Sequence, residues 1–154
     1  MNFLEGRWHK VKRTDPRARV LADRHYSRQT VGARDFMANG KTLVLLTDCA
    51  RAVWGVIENL DPVGGLHWRV AIFRNEGGGL SSDLVREATA RTYEFWRQRH
   101  GRLPEVPLRT EVDPGKTRTK RDPGRCFLRA GWRVVEGSPR SIRRGLVVLE
   151  APAP

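Results

Sequence analysis

Cysteine is nearly absent from this chain. Cys49 and Cys126 are the only two, and they stand far apart. That excludes a disulfide framework and a cysteine-based zinc site, and it suits a reducing cytoplasm. Histidine is also sparse. His9, His25, His67 and His100 are scattered, with no paired spacing for zinc. No apolar run nears the roughly 20 residues of a membrane helix, so no membrane partner is expected. The first residues include Glu5, Arg7 and Lys10 and do not read as a signal peptide. Acidic residues are short as well: 17 Asp and Glu face 29 Lys and Arg, a formal charge of +12. The excess is mostly arginine, spread along the chain rather than held in a tail. A basic domain of this kind calls for a polyanionic partner, most often nucleic acid. Solubility alone needs less charge. No internal repeat is present, and 154 residues suit one domain with a single core, residues 1–150, with a tail at Ala151–Pro154.

What is present centres on His67 to Trp96. His67-Trp68-Arg69-Val70-Ala71-Ile72-Phe73 is a short apolar run rich in β-formers and predicts a buried strand. Arg74-Asn75-Glu76-Gly77-Gly78-Gly79 follows, and three consecutive glycines do not fit a regular element. Ser81 or Ser82 is a good N-cap for a helix over Ser82–Arg99, with Asp83 at its positive end. Leu84, Val85, Ala88, Phe95 and Trp96 recur at helical spacing. Strand, glycine loop and helix start make an anion site, because glycine lets the backbone approach a phosphate and the first-turn N–H groups point at it. A tight turn that binds nothing is the plain alternative.

The rest of the chain frames this stretch. Phe3 to Lys12 reads as a first strand. Asp15-Pro16 opens a helix whose inner face carries Ala18, Leu21, Ala22 and His25. At its end His25-Tyr26-Ser27-Arg28 gathers an acid/base group, a phenol, a hydroxyl and a cation. A buried core histidine is the competing reading. Leu43–Thr47 and Ala52–Glu58 form a hairpin that leads into the central strand. After the long helix come a strand at Leu108–Val112, the turn Asp113-Pro114-Gly115, and a basic loop with Lys116, Arg118, Lys120 and Arg121. A short helix, Gly124 to Ala130, ends at Gly131 with Trp132 turned into the core. Trp132–Glu136 and Leu146–Glu150 pair as a last hairpin around Arg140, Arg143 and Arg144.

Arg74-x-x-Gly77-x-Gly79 resembles the pyrophosphate loop of the GNAT acyltransferase superfamily, and Phe127-x-x-x-Gly131-Trp132 is similar to the signature on its last helix. The element order resembles that fold over nearly the whole chain. The resemblance implies an α/β (α+β) single domain: a mixed, twisted, mainly antiparallel sheet flanked by helices. It also implies that the strands ending at Phe73 and Val112 part beside the glycine loop. Ser81-Ser82 stands where such acyltransferases usually carry leucine, and the loop lacks their basic residues. His25-Tyr26-Ser27, Asn75-Glu76 with Ser81-Ser82, and Asp113-Pro114 before Gly124-x-x-Phe127 resemble, more narrowly, the phage Mom-like proteins. Those are GNAT-like enzymes that alter the N6 amine of adenine and protect phage DNA from restriction. The resemblance implies nucleic acid as substrate, with double-stranded DNA the expected partner and RNA left open; a base reached inside a duplex would have to be flipped out. It leaves the donor open, acetyl-CoA or another acyl donor among the candidates, and allows iron.

An exocyclic base amine is a poor nucleophile, because its lone pair is delocalised into the ring. An enzyme must orient it, take its proton and stabilise the developing charge. His25, with an ordinary pKa near 6.5, is the candidate base. Asp113 is the candidate orienting or proton-accepting carboxylate, or else a simple turn residue. Tyr26 and Ser27 are candidate hydrogen-bond donors. Arg74, with Gly77, Gly78, Gly79, Ser81 and Ser82, is expected to hold the donor's phosphate or carboxylate. Arg28, Lys116, Arg118, Lys120, Arg121, Arg140, Arg143 and Arg144 are the candidate contacts to a phosphate backbone. Trp54 or Tyr26 could stack on a flipped base, though Trp54 reads first as core. Two other functions compete: an acyl-CoA-dependent N-acetyltransferase acting on a protein or small amine, and a non-catalytic nucleic-acid-binding module on the same fold. The oligomeric state stays open, a homodimer included.

Overall fold

A computed structural model describes residues 7–25, 36–37, 40–60, 66–103, 105–115 and 124–154. Among them, seven strands form one sheet in the order β1-β2-β3-β4-β5-β7-β6. The strands are β1 (Trp8–Val11), β2 (Lys41–Thr47), β3 (Ala52–Leu60), β4 (Leu66–Asn75), β5 (Arg109–Val112), β6 (Arg133–Val135) and β7 (Val147–Glu150). The helices are α1 (Pro16–Asp23), α2 (Ser81–His100), α3 (Arg125–Arg129) and α4 (Pro139–Arg143). Every strand pair is antiparallel except β4 with β5. The expected mixed, mainly antiparallel sheet flanked by helices is therefore present.

Local chemistry sets the helix ends. Asp15 accepts the N–H groups of Arg17 at 2.9 Å and Ala18 at 3.4 Å, and Pro16 takes the first helical position of α1. At the end of α3, Trp132 N–H donates to Phe127 O and Gly131 N–H to Leu128 O, at 3.0 and 3.1 Å. That is a Schellman cap, and the Trp132 and Phe127 rings meet at 4.9 Å to complete it.

Three expectations need correction. Of the first strand expected over Phe3–Lys12, Trp8–Val11 is strand and Arg7 and Lys12 are not, while residues 1–6 lie outside the described ones. Neither Ser81 nor Ser82 is the N-cap of α2. Leu80 holds that place, with no side-chain cap, because Ser81 has already entered the helix and its hydroxyl receives a hydrogen bond from Asn75. The tip of the last hairpin is not a plain loop but α4, capped by Ser138, which accepts Ser141 N–H at 3.1 Å, and opened by Pro139.

The sheet separates two apolar layers. Leu43, Leu45, Trp54, Val56, Trp68 and Val70 face α2, while Val44, Leu46, Val53, Ile57 and Ile72 face α1. Trp54 is fully buried and its Nε1 donates to Thr92 Oγ1 at 3.0 Å, so it belongs to the core.

One irregularity in β4 decides which way the site residues point. Gly55 of β3 pairs with Ile72, but the next residue, Val56, pairs with Val70. Ala71 is thus an extra residue, a β-bulge, and it resets the alternation of everything after it. Phe73 lies opposite Trp54 on the α2 side, and Arg74 lies opposite Val53 on the α1 side. Just before the bulge, pairing between β4 and β5 stops. Arg69 and Val70 are in register with Arg109 and Thr110, and Thr110 Oγ1 donates to Val70 O at 3.0 Å. Beyond that point β4 continues to Asn75 and β5 to Val112 unpaired with each other, so the strands part beside the glycine loop, as expected.

Candidate active site: a cleft between parted strands

The gap between β4 and β5 forms a cleft of about 400 Å³. Val70 to Phe73 and Thr110 to Val112 make its sides, the start of α2 from Leu80 to Ser82 one end, and Arg125, Cys126, Phe127 and Arg129 of α3 a wall. His25 stands at the α1 side. Apolar walls with a few polar groups at the rim suit a small ligand or an inserted group.

His25 follows the C-terminal residue of α1, its N–H bonded to Ala22 O at 3.0 Å. It faces the cleft because the same helix face buries Ala18, Leu21 and Ala22. Burial, and then the charge of Arg74, push its imidazole down from 6.5 to about 4. The ring is therefore uncharged at neutral pH, and it is a weaker base than the ordinary value of 6.5 implied. Tyr26, Ser27 and Arg28 lie outside the described residues, as do Lys116, Arg118, Lys120 and Arg121.

Asp113 does not join His25. Its Oδ1 accepts Gly115 N–H at 2.9 Å, the bond of a turn-forming aspartate, and the cleft lining does not include it. The physical reason is that β5 ends at Val112 and the chain turns at once. Glu111 is the carboxylate that reaches the cleft, and its Oε2 accepts a hydrogen bond from Ser141 Oγ at 3.3 Å. Alternation along β5 could have pointed to it: Thr110 and Val112 are buried, Glu111 exposed.

The glycine loop is closed upon itself. Asn75 Oδ1 accepts Gly78 N–H at 2.8 Å, while Asn75 Nδ2 donates to Gly79 O at 2.8 Å and Ser81 Oγ at 2.9 Å. Gly77 and Gly79 have φ of 96° and 140°, which require glycine. Arg74, expected to serve this loop, points to the other side, where its Nε bonds Glu76 Oε2 at 2.9 Å. The loop's cations come from elsewhere. Arg7 lies against Gly79 and pairs with Glu87, and the Arg51 guanidinium stands 3.4 Å from where a Cβ on Gly77 would be. Both are distant in sequence, so only the fold brings them here.

Two further groups line the cleft. Ser82 is only 8% exposed, and its hydroxyl has no hydrogen-bond partner among the described residues. With the uncapped first turn of α2 it offers donors to an anion. The Cys126 thiol is raised in pKa by burial, which keeps it protonated and unreactive. Arg140, Arg143 and Arg144 are exposed and share one stripe of α4 and its cap.

Among the described residues, no group of three His, Cys, Asp or Glu could hold a metal ion, so the iron that the resemblance allows has no donor set there. In the glycine loop Gly78 N–H is taken by Asn75 Oδ1 and is not open to a coenzyme pyrophosphate. No helix among the described residues is long and apolar enough to cross a membrane. No family model, curated protein or solved structure matches the chain.

Proposed function

We propose that this chain is a GNAT-like nucleobase-modifying enzyme of the Mom-like kind, transferring a small acyl-type group to a base amine of DNA, with adenine N6 as the leading acceptor. The observation that carries the reading is the cleft between β4 and β5 with His25 at its lip, on a protein of charge +12. A flat base fits between apolar walls, and the neutral imidazole can accept a hydrogen bond from its amine. In the reaction the amine nitrogen bonds the acyl carbon, the donor's leaving group departs, and the amine proton passes by way of His25 to solvent. An imidazole whose pKa is about 4 releases that proton quickly but draws it weakly, so orientation is its larger contribution. Ser82 and the first turn of α2 would hold an anionic group of the donor, with Arg125 and Arg129 on the facing wall. The self-closed glycine loop favours a small donor over coenzyme A, and so weighs against the acyl-CoA-dependent alternative.

The test is restriction protection. Plasmid DNA from cells expressing the protein should resist endonucleases whose sites contain adenine, and His25→Ala should abolish the resistance while DNA binding persists. Full sensitivity with soluble, folded protein would refute the reading.

A further inference from the structure

The bulge at Ala71 has a second consequence. It carries Arg74 to the α1 side of the sheet, opposite Val53. There Glu76 Oε2 accepts hydrogen bonds from Arg74 Nε at 2.9 Å and from Arg24 Nε at 2.8 Å. One carboxylate oxygen thus gathers two guanidinium groups from different elements, the end of α1 and the end of β4. Each arginine spends only its Nε on this contact. Among the described residues, their terminal amino groups have no partner, and the two side chains are 51% and 36% exposed. Arg24 immediately precedes His25 and Arg74 immediately follows Phe73, and both His25 and Phe73 line the cleft, so the pair stands beside its lip.

We propose that Arg24 and Arg74, aligned by Glu76, form a clamp for a backbone phosphate of the nucleic acid whose base enters the cleft. This rests on the reading of the chain as a DNA-modifying enzyme. A base inserted past His25 leaves its sugar and phosphate at that lip. Guanidinium forks suit phosphate, because their fixed donors bind two oxygens at once. Glu76 orders both forks in advance and cancels one of their two charges, so a phosphate is held without being trapped. A phosphate belonging to the donor fits this place less well. The glycine loop and the first turn of α2 lie toward Leu84, on the other side of the sheet.

The test compares duplex DNA binding over a range of salt for the full chain, Arg24→Gln, Arg74→Gln, the double variant and Glu76→Gln. Binding of inorganic pyrophosphate and of acetyl-CoA is measured alongside. Losing one phosphate contact should make the log–log salt slope of the double variant shallower by about one unit and weaken DNA binding severalfold. Glu76→Gln should tighten DNA binding, because it removes the opposing charge. Pyrophosphate and acetyl-CoA binding should not change. An unchanged salt slope in a double variant with a normal unfolding curve would overturn the clamp. So would a loss confined to pyrophosphate or acetyl-CoA, which would place the arginines on the donor side. The reading beneath it fails separately: a shallower slope in the double variant, with no modified nucleoside made by the unaltered protein, keeps the clamp and removes the enzyme.

Discussion

His25 gives the site an electrostatic signature that stability measurements can read. In the folded protein its imidazole is pushed from 6.5 to about 4, first by burial and then by Arg74. In the unfolded chain it titrates near its ordinary value. Between those two values the unfolded state binds a proton that the folded state refuses, so acidification favours unfolding. The stability tied to the neutral ring is fully present above about pH 6.5 and drains away as pH falls toward about 4. At about 1.36 kcal/mol per pH unit, the whole loss is about 3 kcal/mol. The ring is only partly enclosed, and solvent screening reduces the expected figure to about 2 kcal/mol. That is a large share of a typical net stability of about 5–15 kcal/mol. The assay is urea unfolding of the unaltered protein and His25→Asn, from about pH 7.5 to about pH 4.5. The difference between the two cancels the carboxylates of Asp15, Glu76 and Glu150, which arginine partners hold below their ordinary range. The unaltered protein should lose about 2 kcal/mol relative to His25→Asn on acidification. A difference that stays constant with pH, or an NMR titration of the His25 ring with its midpoint near 6.5, would refute the reasoning.

Two other perturbations test the fold and the charged surface. Gly124 has φ of 75°, and an added Cβ would come 2.7 Å from Leu149 Cδ1, so Gly124→Ala should cost about 2–4 kcal/mol in urea unfolding. A cost below about 0.5 kcal/mol would show that the cleft wall is not packed against β7. Neutralising Lys116, Arg118, Arg143 and Arg144 together should flatten the salt dependence of DNA binding by about three units, and an unchanged slope would place the contact surface elsewhere.

Where a residue's local chemistry decided the outcome, the sequence was readable. Asp15-Pro16 starts α1, Gly131-Trp132 closes α3, and the hairpin, meander and long helix follow their hydrophobic periods. Ser138-Pro139 was an equally readable start signal for α4, hidden beneath the basic run that follows it. The direction of Arg74 was not readable. Simple alternation along β4 would send it to the α2 side with Val70, and the extra residue at Ala71 reverses that through pairing with a different strand. The exchange of Asp113 for Glu111 has the same origin, since it depends on where β5 stops. Arg7 and Arg51 at the glycine loop, and Asn75 filling it, are products of tertiary folding that no local pattern announces.

The central claim is that the cleft modifies a base amine in DNA, and nucleoside mass spectrometry addresses it most directly. DNA from cells expressing the unaltered protein, digested to nucleosides, should contain a deoxyadenosine of raised mass. DNA from cells expressing His25→Ala at equal soluble level should lack it. Ordinary nucleosides alone from the unaltered, folded protein would contradict the account.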